Sequence, residues 1–231
     1  MDSVGRVGVL DKSVRILDAL AELGPLSLAD LVSGTGLARP TAHRLAVALE
    51  EHGLVGRDEA GRFRLGLRLA AWGGRVADAI IPAAGPVLAA LRDATGESAQ
   101  LYVRDGDRRI CVASSERPSG LRDTVPVGAA LSLVAGSGAK VLLAWASDAD
   151  RFGVDARELA AVRRRGWAAS VAERETGVAS VSAPVRDRDD RVVAAISVSG
   201  PIDRLGRAPG RRYAGPVVDA AGRLERAARR A

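Results

Sequence analysis

At 231 residues, with 47% apolar and 3% aromatic side chains, the chain is long enough for one or two domains of about 100–200 residues each. That apolar content argues against disorder. A single cysteine, Cys111, excludes an intrachain disulfide and a cysteine-based zinc site, and the net charge of +6 admits acidic partners without identifying one.

In chain order, Leu10, Val14, Leu17 and Ala21 recur at helical spacing with Ile16, Leu20 and Leu23, and the helix they predict stops at Gly24-Pro25. Ser27 opens a second, short helix, with Asp30 as its capping-box partner, that runs to about Ser33 and ends at 34–36. A third begins at Arg39-Pro40, where proline in the first turn costs no hydrogen bond, and runs to His52-Gly53. Two short strands follow, Leu54–Arg57 and Arg62–Leu65, around the turn 58–61. Leu67 to about Ala79 again has a helical pattern and is expected to link two domains, with Pro82 and Pro86 bracketing the restart of the chain.

In the second half, Val87–Thr95 reads as a helix. Ala99–Val103, Arg109–Ser114 and Leu121–Val127 read as strands, then Gly138–Ala146 and Glu158–Arg165 as helices. Val178–Val185 and Val192–Val198 form a hairpin, and the last 20 residues an Arg-rich helix. The mixture predicts an α+β fold: an N-terminal winged helix-turn-helix over 7–66, a linker helix over 67–80, and a mixed α/β domain with an antiparallel sheet over 81–231.

Three helices and a hairpin in about sixty residues are the pattern in which a third helix enters the major groove of double-stranded DNA. Its first turns carry Arg39, Thr41, Ala42, His43 and Arg44. Arginine pairs bidentately with guanine, threonine and histidine donate to bases or phosphates, and an alanine methyl meets a thymine methyl. Arg57, Arg62 and Arg64 on the hairpin suit backbone phosphates. Total charge does not carry this reading, because residues 1–80 hold ten basic and ten acidic side chains. The alternatives are a helical cap whose polar third helix merely faces water, or a sensor or oligomerisation module that binds no DNA.

The second domain has two features that suit a small polar ligand. Gly136-Ser137-Gly138 precedes a helix, where free N–H groups bind a carboxylate or phosphate. Ser197 and Ser199 lie at period two on an apolar strand, as do Ser180 and Ser182 on its partner, so each pair faces one side. Buried hydroxyls need partners, which a ligand, the backbone or ordered water can supply.

Enzymatic readings fail on spacing. Ser137 is flanked by Ala135 and Ala139 rather than the glycines of a nucleophile elbow. Lys140 is followed by Val141, so no P-loop hydroxyl is available. Cys111 is separated from both histidines, which lie in the other domain, and no metal-ligand cluster is present. No cofactor is expected. The N-terminus breaks its apolar stretches with Asp11, Lys12 and Arg15, and the longest uncharged run, 124–139, is shorter than the ~18 apolar residues a spanning helix needs. A cytoplasmic protein with no membrane partner is expected.

Leu10-Asp11-Lys12 with Ile16-Leu17, residues 36–45 (GLARPTAHRL) and 61–66 (GRFRLG) resemble the DNA-binding half of IclR-type transcriptional regulators. Gly166-Trp167, 177–185 (GVASVSAPV) and 192–201 (VVAAISVSGP) are similar to that family's effector domain. The resemblance implies a GAF-like second domain, a homodimer or dimer of dimers, and an effector held at the positions of Gly136, Ser137, Ser170, Ser180, Ser197 and Ser199. Relatives carry an acid or a cysteine where this chain has Ser170 and Ser180. Within the family, 95–102 and 119–128 resemble an actinobacterial regulator of amino-acid metabolism, which implies control of leucine or other branched-chain and sulfur amino-acid genes and an effector with carboxylate or amino-acid character.

Overall fold

The structure is a computed structural model that describes residues 8–76 and 80–229. The chain packs as two compact units, residues 1–77 and 78–231. Residues 77–79, on which the end of the expected linker helix falls, lie outside the described residues.

The first unit consists of helices α1 (Gly8–Leu23), α2 (Leu28–Thr35) and α3 (Arg39–Glu51), the hairpin β1 (Val55–Arg57) and β2 (Phe63–Leu65), and helix α4 (Leu67–Val76). Ser27 caps α2 as expected: its hydroxyl accepts from the Asp30 N–H at 3.2 Å, and the Asp30 carboxylate accepts from the Ser27 N–H. The helix runs to Thr35 and closes on Gly36 at φ +64°, where a side chain would be strained. Ile16, Leu20, Leu31, Leu45, Leu49, Val55 and Phe63 make the core. Not all of the apolar residues of α1 enter it, because Val9, Leu10, Val14 and Leu23 remain exposed.

The second unit is a six-stranded antiparallel sheet in the order β5-β4-β3-β8-β7-β6. Its strands are β3 (Ser98–Asp105), β4 (Arg108–Ser115), β5 (Ala130–Ser132), β6 (Ala168–Val171), β7 (Val178–Arg186) and β8 (Val192–Pro201). Helices α5 (Ile80–Thr95) and α9 (Gly210–Ala228) cover one face, sealing Leu101, Val181, Ile196 and Val198 under Leu88, Leu91, Tyr213 and Leu224. The opposite face carries α6 (Ser137–Leu143) and α7 (Ala156–Arg165), with Val141, Leu143 and Val162 packed on Tyr102, Cys111 and Ala195. A short helix, α8 (Ile202–Leu205), follows β8.

Three expectations are corrected. Helix α5 begins at Ile80, not Val87, and contains Pro86. Pro82 sits in the first turn, where no N–H is needed. Pro86 forfeits one bond at about 3 kcal/mol, offset by burying Leu88 and Leu91 at about 1.5–3 kcal/mol each. Leu121–Val127 is not a strand. Pro126 offers no ladder donor, Leu121 and Val127 are exposed, and pairing with β4 is resumed past Gly128, so the third strand lies at Ala130–Ser132. Helix α6 is shorter than the expected Gly138–Ala146, and β6, unforeseen, forms an edge of the sheet.

Candidate functional site: a DNA-reading helix and a serine-lined cleft

On the first unit, α3 turns Leu45, Ala46 and Leu49 inward, and the same periodicity leaves Arg39, His43 and Arg44 exposed with Thr41 half-buried. Its N-cap is Ala38, with no side-chain cap, and no acid stands in the first turn to repel a phosphate. Ala42 corrects the expected set of base readers: it is 0% exposed and belongs to the core, so its methyl meets protein and not thymine.

The hairpin arginines are held by their own unit. Arg57 pairs with Glu50 at 3.0 Å and lies 4.1 Å over the Phe63 ring. Arg62 pairs with Asp58, whose carboxylate also accepts from the Ala60 and Arg62 N–H groups and so shapes the turn. Arg64 donates to the Arg57 carbonyl at 3.2 Å and has no carboxylate partner among the described residues. Gly66 closes the hairpin: a Cβ there would stand 2.0 Å from the Gly53 carbonyl oxygen.

On the second unit, sheet register gathers polar side chains on the face opposite α5 and α9. Ser114, Gln100, Ser197 and Ser182 are consecutive register partners across β4, β3, β8 and β7. Ser98, Ser199, Ser180 and Ser170 form the next row, from β3 to β6. The first residue of α6, Ser137, drops its hydroxyl between the rows, 2.6 Å from Ser180 Oγ and 2.7 Å from Ser182 Oγ. Ser170 to Ser180 is 2.9 Å and Ser182 to Ser197 is 2.5 Å.

All six residues expected at the effector site, Gly136, Ser137, Ser170, Ser180, Ser197 and Ser199, line one cleft with about 20 Å³ of free space, room for a single water. Gly136 sits at φ +96°, and a Cβ there would approach the Arg109 guanidinium to 3.1 Å, so this glycine is needed both for its backbone and for the space.

Sequence patterning missed six residues of this cleft: Gln100, Tyr102, Arg109, Asp123, Arg174 and Val178. Arg109 is 3% exposed; its Nη1 donates to the Ser132 and Ala135 carbonyls, and its Nε has no partner. Burial holds its guanidinium below the ordinary arginine value. Gln100 is fully buried; its Oε1 accepts from the Ser199 hydroxyl at 3.1 Å, and its Nε2 has no partner. Arg174 binds Asp123 through two contacts of 2.8 Å, tying loop 172–177 to loop 116–129. Beside the cleft, buried Lys140 holds Glu158 at 2.6 Å and Glu173 at 2.5 Å, and Glu173 accepts from the Gly136 N–H at 3.2 Å. The α6 N-terminus is therefore partly occupied. A signal for two of the missed residues existed, since Gln100 shares the period-two phase of Tyr102, and Arg109 that of Cys111, both buried.

Among the described residues no cluster of His, Cys, Asp and Glu could hold a metal ion, and no helix is long and apolar enough to cross a membrane. The thiol of Cys111 is buried and pushed up to about 11, which leaves it protonated near neutral pH.

Residues 9–59 match the IclR helix-turn-helix domain, and 76–152 with 156–226 match the bacterial transcriptional regulator IclR C-terminal domain. The glycerol operon regulatory protein of Streptomyces griseus is 34% identical over 200 residues, 78% of this chain and 79% of that protein. Among solved structures, the Thermotoga maritima IclR superposes with a TM-score of 0.73 at 23% identity, covering 96% of this chain and 98% of that one. An IclR homologue from Microbacterium hydrocarbonoxydans, complexed with 4-hydroxybenzoate, gives 0.71 at 22% identity over 96% and 100%. These last two bear on the fold alone. Family matches over both units, on a helix-turn-helix with an open arginine face, make the chain a DNA-binding transcription factor and not an enzyme: it belongs to the IclR family of transcriptional regulators.

Proposed function

We propose that this regulator reads double-stranded operator DNA with Arg39, Thr41, His43 and Arg44 of α3, steadied on phosphates by Arg57, Arg62 and Arg64, and that a small polar metabolite in the serine cleft changes its hold on DNA. Support for the effector half comes from one cleft lined by all six residues named for it from separate stretches of the chain. The Microbacterium homologue was solved with 4-hydroxybenzoate, a small carboxylate of the kind this polar lining suits. Regulation requires that the ligand bind the DNA-competent and DNA-incompetent arrangements with different affinity; equal binding shifts nothing.

The working form is a homodimer or a dimer of dimers, because one recognition helix spans too few base pairs and paired half-sites mirror a protein two-fold. Support comes from the uncovered apolar residues of α1 (Val9, Leu10, Val14) and of α4 (Leu67, Trp72). The location is the cytoplasm, where such an operator would be met.

Control of leucine and related amino-acid genes is the finer reading and rests on the resemblance at 95–102 and 119–128. A second reading, polyol metabolism, is favoured by the Streptomyces griseus relative named for a glycerol operon. A gel shift of the full chain on DNA upstream of its own gene, repeated with and without candidate metabolites, tests the whole proposal. No salt-sensitive, sequence-specific shift would leave the chain a sensor without an operator. Light scattering that shows a monomer bound tightly to DNA would remove the dimer.

A further inference from the structure

We propose that loop 116–129 is a lid on the serine cleft, fastened by the ion pair between Asp123 and Arg174, and that its opening also uncovers Cys111. The lid serves the cleft read above as the effector site, but its opening is measured without an effector, so either reading can fail alone.

The free space in the cleft holds about one water, so anything larger enters only if a wall moves. Two walls are fixed. The serine rows lie on strands inside the sheet, with Ser182, Ser197 and Ser199 buried, and all seven residues of α6 are buried as well. Two loops make the third wall, with Asp123 from 116–129 and Arg174 from 172–177. Arg174 is the one lining residue that is exposed, which puts the solvent side of the cleft at these loops.

Loop 116–129 is attached lightly between its ends. Arg204 donates to the Leu121 carbonyl at 2.7 Å, and the Gly128 N–H bonds the Cys111 carbonyl at 2.7 Å. Within the loop only Asp123 and Val125 are buried, while Leu121 and Val127 on either side stand exposed. Both Asp123 oxygens accept from Arg174 at 2.8 Å. Val125 joins the core cluster of Tyr102, Cys111 and Leu133, and its carbonyl accepts from the Cys111 thiol at 3.6 Å. The stretch 122–127 therefore lifts by giving up one ion pair and one apolar side chain, a small part of what holds the sheet together.

Arg174 is the fixed side of the fastening. Its loop leaves β6 through Ala172 at φ +56°, a conformation that a residue with a Cβ holds only when its surroundings enforce it. Glu173 supplies that constraint, since Lys140 holds it at 2.5 Å and it accepts from the Gly136 N–H at 3.2 Å. Released from Asp123, Arg174 keeps Glu175 at 3.4 Å, so opening leaves no bare charge on its side.

The lid carries its own reporter. Cys111 is the sole cysteine of the chain, and its thiol is buried beneath Val125. Covered, it stays protonated and out of reach; once 122–127 lifts, water restores an ordinary, reactive thiol.

The rate at which Cys111 of the full chain reacts with 4,4′-dithiodipyridine, a neutral reagent that charge substitutions do not steer, measures the opening. Asp123→Asn and Arg174→Gln should each raise the rate about tenfold or more. The double variant should exceed the faster single only slightly, because the same pair is broken once. Urea below the unfolding transition separates a lid from unfolding in the unaltered chain, so the test survives a variant that does not fold. A thiol uncovered by a short loop gains little rate with urea, whereas one uncovered by unfolding gains with the full unfolding slope.

Unchanged rates in both folded variants would overturn the fastening, as would full additivity in the double variant. A full unfolding slope would overturn the lid, and so would a thiol that reacts in the unaltered chain as fast as in a short peptide. None of these results bears on the gel shift, which tests the effector reading by itself.

Discussion

Ser182 on β7 and Ser197 on β8 are register partners with their hydroxyl oxygens 2.5 Å apart, both buried and both in the wall of the cleft or directly behind it. Removing one leaves the other short of a partner in a dry place. Ser182→Ala, which also breaks the contact to Ser137, should cost about 1–3 kcal/mol in urea unfolding of the full chain. The double variant Ser182→Ala/Ser197→Ala should cost clearly less than the two singles together, because the orphaned hydroxyl goes as well. Strict additivity would show that water already satisfies both groups.

The division within α3 makes a second prediction. Arg39→Ala and Arg44→Ala should each cost about 1–3 kcal/mol of operator affinity and relax specificity at one base pair. Arg64→Ala, at the hairpin arginine without a carboxylate partner, should weaken all sequences alike and lower the salt slope by about one. Ala42→Leu should act on stability by about 1–3 kcal/mol through overpacking, with no new base preference. Anisotropy titrations across salt concentrations separate these outcomes, and unchanged affinity in both Arg39→Ala and Arg44→Ala would remove α3 from the DNA.

A third concerns Gly66. A methyl group there would overlap the Gly53 carbonyl, which is backbone and cannot swing aside. Gly66→Ala should therefore lower the stability of the DNA-binding unit by more than about 2 kcal/mol and melt it ahead of the second unit. A melting profile identical to that of the unaltered chain would mean the hairpin has room that its closed geometry denies.

The fourth prediction is one of pH. Hydrogen bonds from the Ser27 side chain and backbone hold the Asp30 carboxyl below its ordinary 3.8. A depressed carboxyl contributes stability that is present in full above pH 3.8 and lost as the pH falls through its lower folded value. Asp30→Asn should be less stable than the unaltered chain near neutrality, and the gap in melting temperature should narrow progressively below pH 4. A gap that stays constant to pH 2.5 would show the cap works without its charge.

Much of this was legible from short-range pattern. The capping box at Ser27 and Asp30, the proline-opened α3 and the period-two serines of β7 and β8 are local signals, and each element formed where its signal lay. Where local signals conflicted with distant packing, packing prevailed. Pro86 reads as a break, yet Ile80, Ala84, Leu88 and Leu91 carry the helix through it onto the sheet. Leu121–Val127 has the composition of a strand, but pairing depends on a neighbour's free edge and on donors that Pro126 lacks. Period two marked Gln100 and Arg109 as inward-facing, but their meeting with the serines depends on pairing between strands distant in sequence. The second apolar face of α1 could not be distinguished from the first without knowing which side Leu31 and Leu45 would take.

The five hydroxyls of Ser170, Ser180, Ser137, Ser182 and Ser197 form an unbroken series in which either oxygen of every contact can be the donor. Such a series has two polarisation states, one with all protons pointing toward Ser170 and one with all pointing toward Ser197, and neither requires a heavy atom to move. An acceptor arriving at one end fixes the direction of the whole row, since each proton reversal obliges the next, and the bonds strengthen one another when aligned. The row can thereby reverse its hydrogen-bond direction from edge strand β6 to central strand β8 without any shift of a strand.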